Sequence, residues 1–112
     1  MAEVVKELQD KAYEAIELAK KSGKIKKGTN EVTKAVERGN AKLVVVANNV
    51  NPKEVVMHIE PLCKEKGIMF VLVENKEDLG AAAGLPVGTS SVAIIKEGEA
   101  ASMIKDIKSK IK

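Results

Sequence analysis

Apolar strands alternating with amphipathic helices place this chain in the α/β class, as a single-domain three-layer α/β/α sandwich over residues 1–112. Three observations carry that expectation. The run 43–47 is an uninterrupted apolar stretch, and 68–73 and 91–95, the last opened by Ser91, are likewise apolar segments of strand length, which suits strands covered on both faces. The segments between them repeat apolar residues at helical spacing. A chain that passes repeatedly from strand to helix to strand tends to cross over and rejoin its sheet in parallel. The sheet is therefore expected to be small, four-stranded and mixed, with mostly parallel pairing.

The elements follow in order. Residues 2–22 form a first helix, with Val4, Val5, Leu8, Ala12, Ala15, Ile16 and Ala19 on its apolar stripe and Ser22-Gly23 ending it. Lys24-Ile25-Lys26 reads as a lysine-rich edge strand. A short helix runs over 30–38, with Thr29 as its N-cap and Gly39-Asn40 after it. The first buried strand is 43–47. Asn48-Asn49-Val50-Asn51-Pro52 is a loop in which Asn51 caps a third helix, 52–66, and Pro52 opens it. That helix buries Val55, Val56, Ile59, Leu62 and Cys63, while Pro61 kinks it or marks a boundary. The strand 68–73 follows Gly67. A short helix spans 76–83 and stops at Gly84, and residues 85–89 form a loop before the strand 91–95. Met103, Ile104, Ile107 and Ile111 face inward from a last helix over 100–111.

Composition narrows the class further. Apolar residues are 45% and charged residues 31% of the chain, the balance of a globular protein with a real core. No apolar run approaches the length that crosses a bilayer, and the N-terminus shows no signal-peptide pattern. The lone Cys63 has no internal disulfide partner and suits a reducing compartment, so a cytoplasmic location is expected. One cysteine and one histidine cannot build a zinc site, and no cofactor is expected. Charge is uneven. The segment 20–42 holds eight basic residues against Glu31 and Glu37, so it carries +6 while the rest of the chain carries −3. A basic patch on a mildly acidic body is the footprint of a polyanion binder. With Tyr13 and Phe70 as its only aromatics, the chain is poorly equipped for base-stacking platforms.

The distinctive stretch is 24–38. Gly28 leaves the start of the second helix open to a close approach. Val32, Ala35 and Val36 make its buried stripe, while Asn30, Lys34 and Arg38 recur every four residues with Glu31 beside them. Asparagine can donate and accept at base edges, glutamate accepts from base N–H groups, and lysine donates. An acid inside a basic patch weakens charge attraction, so Glu31 points to base readout. Taken alone, such a window is more often just a solvated surface helix with an ordinary cap. Neither a phosphate-loop nor a dinucleotide pattern precedes it. Gly84-Leu85-Pro86-Val87-Gly88 either tucks Leu85 and Val87 into the core or exposes them beside a site. That loop precedes a strand, so the rule that places ligands at strand carboxyl ends does not locate it. His58 and Cys63 are expected in core or surface roles, and Ser90-Ser91 is no nucleophile signature. A small-ligand enzyme on the same sandwich, or an adaptor using the third helix, are the alternatives.

Residues 26–39, Lys-Lys-Gly-Thr-Asn-Glu-Val-Thr-Lys-Ala-Val-Glu-Arg-Gly, closely resemble the signature of the archaeal ribosomal protein L7Ae family. The likeness continues through 41–47, Leu79-Gly80 and 83–94, and covers roughly residues 10–100. The resemblance implies a non-catalytic domain over 1–112 that binds the kink-turn, an RNA internal loop with tandem sheared G·A pairs. It implies that Asn30, Glu31 and Lys34 contact those guanines. Gly28 and Thr29 would approach the backbone, and Lys27 and Arg38 would meet phosphates. Asn51 and Lys76 join the implied RNA-binding set, and Leu85, Pro86 and Val87 would cover a flipped-out nucleotide. Partners implied are kink-turns of ribosomal RNA, box C/D and H/ACA guide RNAs and RNase P RNA, together with other ribonucleoprotein core proteins. The free chain is expected to be a monomer with no membrane association. The run Asn48-Asn49-Val50-Asn51 departs from the acidic residues, often Glu-Asp, that family members carry there.

Overall fold

The structure is a computed structural model and describes residues 4–111. Among the described residues, five helices and four strands alternate along the chain, in the expected order. Helix α1 spans Lys6–Ser22 and buries Ala12, Ala15, Ile16 and Ala19 completely. Small residues on that stripe let the helix lie close to what it covers. Residues 2–3 of the expected first helix lie outside the described residues, and Val5 precedes α1 with its side chain 48% exposed instead of inward. Strand β1, Lys24–Lys27, is followed by α2, Thr29–Glu37, and β2, Leu43–Ala47. Every residue of β2 is buried.

The expected third helix is not continuous. Lys53–Val55 make one 3-10 turn, and the α-helix α3 begins only at Ile59 and ends at Lys66. Pro61 explains the start. Its ring has no N–H and clashes with the preceding turn, so an α-helix holds it only where N–H groups lack partners anyway. It sits third in α3. Asn51 consequently caps nothing: Pro52 precedes the 3-10 turn in extended conformation, and no side chain caps that turn. Val55 leaves the expected stripe and is 42% exposed, while Val56, Ile59 and Cys63 remain buried. Strand β3 is Met69–Val73, α4 is Lys76–Ala82 and β4 is Ser91–Lys96. A 3-10 turn at Gly98–Ala100 leads into α5, Ala101–Ile111, which buries Ile104 and Ile107 but leaves Ile111 40% exposed at its end.

The sheet order is β1-β4-β2-β3. Helix α1 packs with α4 and α5, while α2 packs with α3, so two helical layers enclose the sheet. The expected parallel majority is overturned. Only β2 and β3 pair in parallel; β4 is antiparallel to both β2 and β1. The reason lies in the connection before β4. Ala47 lies opposite Val73 at the end of β3, and the neighbouring Val46 lies opposite Ser91 at the start of β4. The segment 74–90 therefore crosses the sheet at one edge and never returns along it. Helix α4, at seven residues, is about 10 Å long and too short for the full return that a parallel crossover needs. The lysine-rich β1 is an edge strand, as expected, with a register shift between Lys24 and Ile25. β3 forms the other edge, where Met69 and Phe70 are half-buried instead of fully covered.

Two ion pairs occur among the described residues, Lys11 with Asp106 and Lys110 with Glu7 at 3.2 Å. Both join α1 to α5, away from α2. The hydrogen bond from Lys11 holds the Asp106 carboxyl below its ordinary value. Cys63 is buried and free, and burial pushes its thiol up to about 11, with the charge of Glu60 adding to the rise.

Candidate nucleic-acid interface

Because β4 runs antiparallel, its amino end shares a sheet edge with the carboxyl ends of β1, β2 and β3. Lys27 stands opposite Val92, Val46 opposite Ser91 and Ala47 opposite Val73. Four connections meet there: the turn at Gly28 into α2, the loop 48–52, the turn 74–75 into α4, and the loop 84–90. The 84–89 loop thus joins the strand carboxyl ends after all, a placement that rests on the direction of β4. Backbone bonds stitch the edge together. Gly28 N–H donates to Ser91 O at 2.9 Å, Ala47 N–H to Ser90 O at 2.9 Å, Asn48 N–H to Val73 O at 2.7 Å and Thr89 N–H to Lys76 O at 3.0 Å.

At the start of α2, Gly28 takes φ +90° and ψ 156°, a conformation that side chains rarely tolerate. A Cβ there would meet nothing within 4 Å. Thr29 is not the expected N-cap. It is the first residue of the helix, and its hydroxyl lies 2.8 Å from Ser90 Oγ. No side chain caps α2, so its first-turn N–H groups are left to an outside acceptor. Val32, Ala35 and Val36 are buried, while Asn30, Glu31, Lys34 and Arg38 are exposed on the outer face.

Two hollows flank this face. One, of about 680 Å³, is lined by Lys27, Gly28, Thr29, Asn30, Glu31, Val55 and His58. The other, of about 210 Å³, is a furrow between α2 and β1, lined chiefly by Lys24, Lys26, Glu31, Lys34, Arg38 and Asn40. Glu31 borders both. Among the described residues none of these five cations forms an ion pair, so their positive field stays available to a polyanion. A group that donates hydrogen bonds to Glu31 can sit in the first hollow while a charged backbone follows the second.

The remaining expected site residues lie on the same edge but line neither hollow. Val87 is 67% exposed and Pro86 is exposed, while Leu85 is half-buried. The loop thus splits the two expected readings, with Val87 outward and Leu85 partly inward. Lys76 is half-buried beneath that loop, and Asn51 is exposed.

Four residues on this edge were not expected there. Val55 and His58 line the first hollow. His58 Nε2 lies 2.8 Å from Thr33 Oγ1, and that hydroxyl is also 2.7 Å from Thr29 O. A hydroxyl has one proton, which the Thr29 carbonyl takes, so His58 must donate from Nε2. Ser90 holds Thr29, and Asn49 Oδ1 accepts from Lys76 N–H at 2.8 Å. The partners in these contacts are separated by 61, 25 and 27 residues, a distance over which local spacing carries no signal. No group of three or more His, Cys, Asp or Glu side chains that could hold a metal occurs among the described residues. No helix there is long and apolar enough to cross a membrane.

The sequence matches the model of the ribosomal protein L7Ae/L30e/S12e/Gadd45 family over residues 10–104. Among solved structures, the chain is similar to the Giardia lamblia 15.5kD RNA binding protein. The two superpose with a TM-score of 0.87 at 32% identity, over 93% of this chain and 87% of that one.

Proposed function

This chain belongs to the ribosomal protein L7Ae/L30e/S12e/Gadd45 family, and we propose that it binds RNA at the kink-turn through the sheet edge around α2, acting without catalysis. The observation that carries this reading is Glu31, an exposed acid among cations that form no ion pair among the described residues, bordering both hollows at an uncapped helix start. A surface built only to attract phosphate has no use for a carboxylate there. A surface that reads base N–H groups does. Asn30, Glu31 and Lys34 contact the sheared G·A pairs. Lys27 and Arg38 hold flanking phosphates, and Gly28 and Thr29 let the backbone come close. The exposed Val87, with Leu85 and Pro86, covers the nucleotide that the kink extrudes, with Lys76 and Asn51 beside it. Stabilising the bent RNA in this way seeds assembly of ribosomal, box C/D, H/ACA or RNase P particles, in which other core proteins join afterwards. The free protein acts as a cytoplasmic monomer, and residues 1–112 form the one RNA-binding unit.

The test is a titration of a fluorescent kink-turn against the same RNA with its G·A pairs replaced. Wild type should prefer the intact kink-turn. Glu31→Ala should weaken that binding by about 1–3 kcal/mol, the discrimination of one good base contact. Equal binding of both RNAs by wild type, or unchanged affinity in the variant, sinks the readout role.

A further inference from the structure

We propose that Asn49 is a positioning residue: it latches the loop after β2 to the start of α4 and thereby sets where the 84–89 loop stands. The geometry runs through three contacts. Lys76 is the first residue of α4, and its N–H has no partner within the helix. Asn49 Oδ1 takes it at 2.8 Å. That bond fixes the orientation of the amide, because an NH2 group cannot accept. Asn49 Nδ2 is then turned toward Glu77 Oε1, 3.4 Å away. Finally, the carbonyl of Lys76 accepts from Thr89 N–H at 3.0 Å.

The loop packs tightly on α4. A Cβ on Gly80 would fall 2.1 Å from Val87 O, and one on Gly88 would fall 3.1 Å from Lys76 O. Loop and helix backbones are therefore in direct contact, and a shift at Lys76 is passed on to Val87. Asn75 caps the same turn by accepting from Asp78 N–H, so two asparagines from different segments hold the start of α4. The role needs an amide. Aspartate could still accept from Lys76 N–H, but it would set a second carboxylate against Glu77, and like charges at that distance repel. An acceptor alone is not enough; position 49 must accept on one side and donate on the other.

The consequence for RNA rests on the kink-turn reading above, but the latch can be measured without RNA. Amide hydrogen exchange at Thr89 would be followed in wild type, Asn49→Asp, and Asn49→Asp combined with Glu77→Gln, which returns a donor facing position 49. Exchange should quicken about fivefold in the single variant, as expected for losing one modest hydrogen bond, and return to within about twofold in the double variant. Affinity for a fluorescent kink-turn RNA should follow the same order, weakened about fivefold and then restored. Unchanged Thr89 exchange in Asn49→Asp, or no recovery in the double variant, overturns the proposal. If Thr89 exchange follows the expected order but wild type ignores the kink-turn, the latch stands and the RNA reading falls. Thr89 behaving as expected while RNA affinity ignores Asn49→Asp overturns the link from latch to binding.

Discussion

Two glycines, Gly28 at the start of α2 and Gly80 within α4, resist substitution for opposite reasons. At Gly28 a Cβ would meet nothing, and the cost lies wholly in the backbone, at φ +90°. Such conformations cost side-chain-bearing residues about 1–3 kcal/mol. At Gly80 the helix is ordinary, and the cost is a Cβ set 2.1 Å from Val87 O. Gly28→Ala should lower the urea midpoint with an unchanged m-value, by an amount equal to about 1–3 kcal/mol, while the 84–89 loop keeps its hydrogen-exchange protection. Gly80→Ala should strip protection from Thr89, because that loop must move away. Loss of Thr89 protection in the first variant but not the second would contradict this division. Gly28 was legible in the sequence, since a glycine between lysines and an amphipathic pattern announces an open helix start. Nothing near Gly80 in sequence announced Val87, which reaches it only through the loop that follows α4.

The helices show where local pattern stops short. The periodicity of 52–66 reads as one helix, yet Pro61 confines the α-helix to Ile59–Lys66 and leaves Val55 on the surface. Within α3, Cys63 supplies a pH test. Burial raises its thiol from an ordinary 9.0 to about 11. Burial likewise raises Tyr13 on α1 from 10.0 to about 12, helped by the charge of Asp78. An acid with a raised folded-state pKa keeps its proton after the unfolded chain has released it. The unfolded state then binds fewer protons, and stability falls as pH rises, from about 9 to 11 for Cys63. The urea midpoint should therefore drop between about pH 8.5 and about pH 10.5, and drop less steeply in Cys63→Ala. Parallel curves for the two proteins would show that the buried thiol does not contribute. The same pattern-against-partner distinction holds for Thr29. Its position before a helical stripe reads as a cap, but Ser90 captures its hydroxyl from across the sheet edge.

For the molecule as a whole, the net charge of +3 matters less than where it lies. The pairs Lys11–Asp106 and Lys110–Glu7 tie up charge between α1 and α5, while the cations around α2 stay unpaired among the described residues. If the proposed RNA face is right, log affinity should fall linearly with log salt, and Lys27→Ala should reduce that slope by about one. Lys108→Ala on α5 serves as the control and should leave it unchanged; equal slope losses would mean that attraction is spread over the whole surface. The sequence alone determined the order of strands and helices, most of the buried stripes and the basic segment, because each rests on spacing within one turn or one strand; it did not give the break before Ile59 or the exposure of Val55. It also carried the family, because the 26–39 motif is contiguous. Tertiary structure alone decided the direction of β4, the gathering of four loops on one edge, and the contacts of Asn49, His58 and Ser90. Those depend on which strands pair and which way they run. That choice is made by packing the whole chain, and no local window contains it.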